Sequence, residues 1–132
     1  MKSMKKSRIA LRNLLSQYTP HADRLAQVDE ELKSTVGNPT KISLLLKERK
    51  LLTEYIMICL GKKEEIRIYC GDKAADIIWD SYAVRVNIET VAHRQNISKR
   101  SLELWMDFWL DQHYLIGKYV ETGETPWVKP NM

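Results

Sequence analysis

Residues 91–105 read VAHRQNISKRSLELW, and they combine the side chains that a sharp corner between two helices requires. Ala92 is small enough for a second helix to cross close to it. Asn96 follows four positions later, and asparagine is second only to glycine in tolerating a left-handed backbone. Ile97 comes next, and its apolar side chain is expected to pack under the turn. The pattern therefore predicts a helix, a tight turn at Asn96 and a second helix.

The second helix is expected over residues 98–112. Ser98 supplies a side-chain oxygen that can cap its first turn. Leu102, Trp105 and Trp109 recur at helical spacing and are expected to form its inward face. This arrangement is typical of a helix-turn-helix, in which the second helix enters the major groove of DNA. An ordinary corner between two core helices is the alternative interpretation.

The outward face of the second helix carries candidate DNA ligands, since Lys and Arg read guanine or hold phosphates. The predicted DNA-binding residues are Arg85, Arg94, Ser98, Lys99, Arg100, Ser101 and Glu103. Arg85 and Arg94 are expected on the flanking phosphates, and Glu103 can accept from a cytosine amine. Asp107 and Asp111 would be repelled by phosphates, so the helix is expected to leave the DNA within about two turns.

The preceding half of the chain predicts two helices joined by a short connection. An apolar stripe marks the first helix at Leu25, Val28, Leu32 and Val36. Gly37-Asn38-Pro39 then ends one helix and starts another. The second stripe comprises Ile42, Leu45, Leu46, Leu52, Ile56 and Cys59, and a bend is expected at Gly61. Such an antiparallel hairpin either forms a homodimer or docks a partner, or it packs within its own chain, and the pattern does not separate these alternatives.

The amino-terminal residues predict a short basic helix that stops before Pro20. Residues 1–60 hold eleven Lys/Arg against six Asp/Glu, a net charge of +5, whereas residues 61–132 hold ten against eleven, a net of −1. The basic surplus thus lies outside the predicted DNA-reading module. One hypothesis is that the amino-terminal cations contact phosphates, and a disordered basic terminus is the alternative. These cations are Lys2, Lys5, Lys6, Arg8 and Arg12.

The periodicity predicts an all-α protein with three parts. Residues 1–70 form the basic helix and the hairpin, residues 71–118 the helix-turn-helix module, and residues 119–132 a flexible tail that includes Trp127. Within the module, Asp72 is expected to cap a helix and Asn87 to cap the next one.

The helix around Trp79 and Tyr82, followed by NIETVAHRQNISKRSLELW, resembles region 4 of bacterial sigma factors. Together with the preceding hairpin and the chain length, it resembles small phage late-transcription activators of the RinA and ArpU type. The resemblance covers roughly residues 72–115. It implies a cytoplasmic regulator of phage or prophage genes that binds double-stranded DNA and, in addition, contacts host RNA polymerase.

Other classes of function find less support in the sequence. No nucleophile elbow, phosphate loop or zinc-protease motif occurs, so we expect no enzyme, cofactor or metal site. No run of 18 apolar residues occurs, so no membrane partner is expected. Two alternatives stay open: a phage small terminase subunit that binds packaging-site DNA as a ring, and a helical interaction adaptor that binds no DNA.

Overall fold

The computed structural model describes residues 2–123, with side chains from residue 4 onward, and within this range it is helical without a β-strand. The prediction of an all-α protein is confirmed. The elements are α1 (Lys2–Ser16), α2 (Tyr18–Ser34), α3 (Pro39–Cys70), α4 (Asp72–Ile78), a π-helical turn (Trp79–Ala83), α5 (Ile88–Arg94) and α6 (Lys99–Thr122).

Helices α2 and α3 pack against each other around a small apolar cluster. Val28 of α2 meets Leu45 and Leu52 of α3, with Leu25 and Leu32 packed at the edge. The connection follows its sequence signals: Gly37 has a φ of 75°, the Asn38 side chain accepts a hydrogen bond from the backbone N–H of Lys41 at 3.0 Å, and Pro39 starts α3. Because α2 ends at Ser34, Val36 lies in this connection and is 90% exposed, so its predicted place in the apolar stripe is wrong.

Helix α3 runs without interruption for 32 residues, so the bend predicted at Gly61 is wrong. A glycine inside a helix costs only about 1 kcal/mol relative to alanine. Cys59 and Ile66 are both buried on either side of Gly61, and they anchor the helix through this point. Leu46 was also expected on the inner face, but it is 52% exposed.

A larger core joins both halves of the sequence. Leu11 and Leu15 of α1 are buried together with residues of α3, α4, α5 and α6. The stretches divided at residues 70 and 71 in the sequence analysis therefore contribute to one hydrophobic core. The other buried members of this core are Cys59, Ile66, Ala74, Ala75, Ile77, Ile78, Trp79, Ala83, Val91, Ala92, Leu102, Met106 and Leu110.

A glycine separates α3 from α4. Gly71 has a φ of 101°, a region that favours glycine, and its N–H bonds to the carbonyl oxygen of Arg67. Gly71 also occupies the cap position of α4, and Asp72 is the first helical residue. The predicted capping role of Asp72 is therefore wrong; its carboxylate lies 3.6 Å from the guanidinium of Arg67.

Helix α6 is longer than predicted, since it continues to Thr122 and ends at Gly123 with a φ of 74°. Residues 119–122, assigned to the tail from the sequence, are helical. The remainder of the predicted tail, including Trp127, lies outside the described residues. Over residues 2–123, no helix combines the length and apolarity that crossing a membrane requires.

The place of α1 in the core generates a stability prediction. Replacing the fully buried Leu15 by alanine leaves a cavity and should lower the free energy of unfolding by about 2–5 kcal/mol. Val36→Ala removes exposed surface and should change it by less than about 0.5 kcal/mol. Urea unfolding measures both variants, and equal stabilities would contradict the packing of α1.

Candidate nucleic-acid interface

The turn between α5 and α6 is built by local hydrogen bonds. Asn87 caps α5 as predicted, because its side chain accepts from the N–H of Glu89 at 2.8 Å. Asn96 has a φ of 56°, which is the left-handed backbone that the sequence predicted at this position. The N–H of Ile97 then reaches back to the carbonyl oxygen of Ala92 at 3.2 Å. Ala92 is 3% exposed, so this turn lies directly on the core.

Ser98 caps α6 as predicted. Its Oγ accepts from the N–H of Ser101 at 3.1 Å, and the two hydroxyl groups lie 3.0 Å apart. The backbone of Ser98 is extended, which is the usual conformation at an N-cap. The two serines are thus brought together by the cap itself, and Ser98 Oγ is already engaged before any ligand binds.

The inward face of α6 consists of Leu102, Met106 and Leu110, each at most 1% exposed. Of the predicted inward residues Leu102, Trp105 and Trp109, the first is in the core, Trp105 is wrongly placed, and Trp109 is only partly buried. Trp109 packs at the edge of the core, whereas Trp105 lies outside it beneath Lys73, whose Nζ is 4.7 Å from the ring centroid. Both Trp105, three residues after Leu102, and Met106, four residues after it, lie close to the face of Leu102. The sequence does not reveal which of the two is buried.

The predicted cationic residues at the start of α6 are solvent-exposed. Lys99 and Arg100 occupy the first two helical positions, and Glu103 is exposed one turn later. Arg94, at the end of α5, is exposed as well. A helix start leaves four backbone N–H groups without a partner inside the helix, and the cap by Ser98 satisfies one of them, that of Ser101. The positive end of the helix dipole coincides with these cations.

Arg85 is exposed in the connection before α5 and has a φ of 66°. For a residue other than glycine, such a backbone costs about 1–2 kcal/mol. Within residues 4–123, no hydrogen bond or ion pair links Arg85 or Arg94 to the residues that begin α6. The structure thus brings Ser98 and Ser101 into direct contact. The other predicted residues are exposed, and no hydrogen bond or ion pair joins them to one another within residues 4–123.

Two ion pairs that were not predicted from the sequence connect α1 to α6. Arg8 Nη1 donates to both carboxylate oxygens of Asp111 at 3.0 and 2.9 Å, and Arg12 Nη2 donates to Asp107 Oδ1 at 2.8 Å. Because one turn forward on α1 matches one turn back on α6, the helices are antiparallel. The hypothesis that Arg8 and Arg12 serve as phosphate contacts is therefore corrected: both face carboxylates of their own chain.

Tyr82 lies between these charged groups. Arg12 is positioned 5.6 Å from the centroid of its ring. Burial raises the pKa of the Tyr82 hydroxyl, Asp107 and Glu103 raise it further, and Arg12 and Arg8 oppose the change. The phenol thus stays neutral at physiological pH and forms part of the contact between α1, α6 and the π-helical turn.

Glu103 lies one turn before Asp107 on α6, where the series of ion pairs ends. Asp111 and Asp107 lie one turn apart on α6, and each forms an ion pair with an arginine of α1. Glu103 continues the spacing, but among the described residues it has no cationic partner. It is therefore the one predicted DNA-binding residue that brings an unpaired negative charge to the interface.

Comparison of the chain with protein-family models, curated proteins and solved structures gives no match. Among the residues described with side chains, no group of three or more His, Cys, Asp and Glu converges as a metal site.

The left-handed turn generates the first prediction for this site. Asn96→Ala should lower the free energy of unfolding by about 1 kcal/mol, because alanine is strained at a φ of 56°. Asn96→Gly relieves that strain and should stay within about 0.5 kcal/mol of the wild type. Urea unfolding of both variants measures the difference, and an alanine variant as stable as the glycine variant would argue against a left-handed residue 96.

The ion pairs generate a second prediction. A double-mutant cycle on Arg8→Ala and Asp111→Ala should give a coupling energy of about 1 kcal/mol that falls with added salt, since both side chains are about three-quarters buried. The exposed pair Lys33–Glu30 is the matched control, and its expected coupling energy is about 0.3 kcal/mol. Equal coupling energies at both sites would contradict a specific contact between α1 and α6.

Proposed function

We propose that the chain is a sequence-specific regulator that binds double-stranded DNA, with the first turns of α6 in the major groove. In this proposal α5, the turn at Asn96 and α6 act as a helix-turn-helix of the sigma region 4 kind. The resemblance stated above makes a cytoplasmic late-gene activator of phage or prophage type the preferred role, with host RNA polymerase as a second partner.

The observation that carries the proposal is the placement of Lys99 and Arg100. Both are exposed at the start of α6, while Leu102 and Met106 behind them are at most 1% exposed. The helix is thus anchored through its inward face and offers its cationic first turn to a ligand. Two cations on a helix start that is rigidly held against a core fit a phosphate backbone and the acceptor edge of guanine.

The roles of the remaining residues follow from their charge and position. Arg85 and Arg94 precede the turn, and their flexible cationic side chains suit the phosphates that flank the groove. Glu103 can accept a hydrogen bond from a cytosine amine, the base group with which Glu and Asp pair in the major groove. The hydroxyl of Ser101 adds a short polar contact on the same turn.

The acidic residues of α6 no longer count against this proposal. Asp107 and Asp111 are paired with Arg12 and Arg8, so their charges are largely compensated within the chain. A compensated carboxylate repels a phosphate far less than a free one at the same distance. The net charge of residues 61–132 is near zero because it counts these two aspartates, whose charges are paired with arginines of α1. The first turn of α6 is therefore more cationic than that net charge indicates.

A gel-shift titration tests the proposal. The probes are duplexes that the wild-type protein enriches from a pool of randomised double-stranded DNA. The double variant Lys99→Ala/Arg100→Ala should lose at least about tenfold in affinity, and its dependence on salt should fall by about one to two phosphate contacts.

The matched control is Lys41→Ala/Lys50→Ala, which removes the same charge from exposed positions on α3. It should bind the enriched duplexes with nearly wild-type affinity. Equal losses of affinity in the two double variants would show that only the net charge of the protein matters. Unchanged affinity of Lys99→Ala/Arg100→Ala would refute the assignment of α6 as the helix that contacts DNA. If no duplex is enriched, the adaptor alternative replaces DNA binding.

A further inference from the structure

Helix α3 exposes six large apolar side chains between residues 44 and 60. They are Leu44, Leu46, Leu51, Met57, Ile58 and Leu60, each at least 40% exposed. They fall on two faces of the helix, Leu44, Leu51 and Ile58 on one and the other three on the opposite side. Exposed apolar side chains that gather on one face commonly mark interaction sites. Helix α2 covers one side of α3 around Leu45 and Leu52, and the exposed apolar side chains lie outside that contact.

Three of these residues form a single row. Leu44, Leu51 and Ile58 are 62%, 67% and 52% exposed and follow one another at intervals of seven residues. Each directly precedes a member of the buried row Leu45, Leu52 and Cys59. The exposed row therefore lies about 100° around the helix from the face that α2 covers at Leu45 and Leu52 and that the main core covers at Cys59. Apolar residues at seven-residue intervals are the pattern against which a second helix packs.

Charged side chains flank this row in a self-complementary way. Lys47 lies four residues before Leu51 and Glu54 three residues after it, and both are exposed on the same flank. They are seven residues apart, about 10 Å along the helix, so they do not pair with each other within one chain. In an antiparallel second copy centred on the same leucine, Lys47 of each copy falls opposite Glu54 of the other.

We propose that the row Leu44, Leu51 and Ile58 binds a second copy of this chain, antiparallel, with the two-fold axis passing beside Leu51. In this arrangement Leu51 packs on its own counterpart, and Leu44 of each copy faces Ile58 of the other. Two Lys47–Glu54 pairs then fix the register. A patch that meets itself in this way is the isologous contact expected of a two-fold homodimer.

The position of the remaining helices favours the antiparallel direction. Helix α1 contacts α3 from Tyr55 onward, where the Tyr55 hydroxyl donates to the carbonyl oxygen of Leu14. Further along α3, Glu65 bonds to His113 of α6. These helices thus occupy one end of α3 only. Antiparallel copies place their bulky ends apart, whereas parallel copies bring them against each other.

The solution mass of the full chain tests the dimer without DNA, so its outcome is separate from that of the gel-shift titration. Analytical ultracentrifugation should show a dimer for the wild type and a monomer for Leu51→Glu. Leu46→Glu is the matched control, because Leu46 is 52% exposed on a different side of α3, and it should remain dimeric. Circular dichroism verifies that both variants are folded.

Cysteine cross-linking under oxidising conditions tests the register. Leu51→Cys should form a covalent dimer, and Leu44→Cys/Ile58→Cys should do so only when both cysteines are present. The wild type, with Cys59 buried and Cys70 half-buried, is the blank. Lys47→Glu should raise the dimer Kd about tenfold or more, and Lys47→Glu/Glu54→Lys should restore it.

Four results would overturn the inference. They are a monomeric wild type, a ring of many copies, a Leu51→Glu variant that stays dimeric, and covalent dimers of Leu44→Cys alone.

Discussion

The apolar face of α1 is buried in the core, and this burial brings the arginines of α1 against the aspartates of α6. Leu11 and Leu15 enter the core between α3 and α6, and the helix that carries them is strongly basic. Its arginines consequently lie against α6, where Asp107 and Asp111 receive them. Part of the amino-terminal excess of positive charge is thus neutralised by ion pairs within the protein. The cations in the first turn of α6, Lys99 and Arg100, stay exposed and have no carboxylate partner among the described residues.

Local features were predicted from the sequence, because their causes lie within a few residues of one another. Asn96 adopts a left-handed backbone, and Ser98 and Asn87 cap their helices, since each needs only its own conformational preference and a nearby N–H group. The break at Gly37 and Pro39 belongs to the same class. Asn87 and Ser98 define where α5 and α6 begin, and hence where the candidate interface lies.

Features that depend on contacts between distant residues were not predicted. The pairing of Arg8 with Asp111 spans 103 positions, and only the matching four-residue spacing of arginines and aspartates hinted at it. The choice of Met106 over Trp105 for the inward face depends on where α1 and α4 approach α6. Gly61 stays helical because Cys59 and Ile66 are both buried, and their burial is a property of the assembled core.

The unbroken course of α3 has a geometric consequence. Its 32 residues form a rod about 48 Å long, and the rod belongs to the small cluster at one end and to the main core at the other. Because α3 is continuous, the two clusters are joined by unbroken helix. In the proposed dimer, the length and the crossing angle of the two α3 helices would set the distance between the two α6 helices.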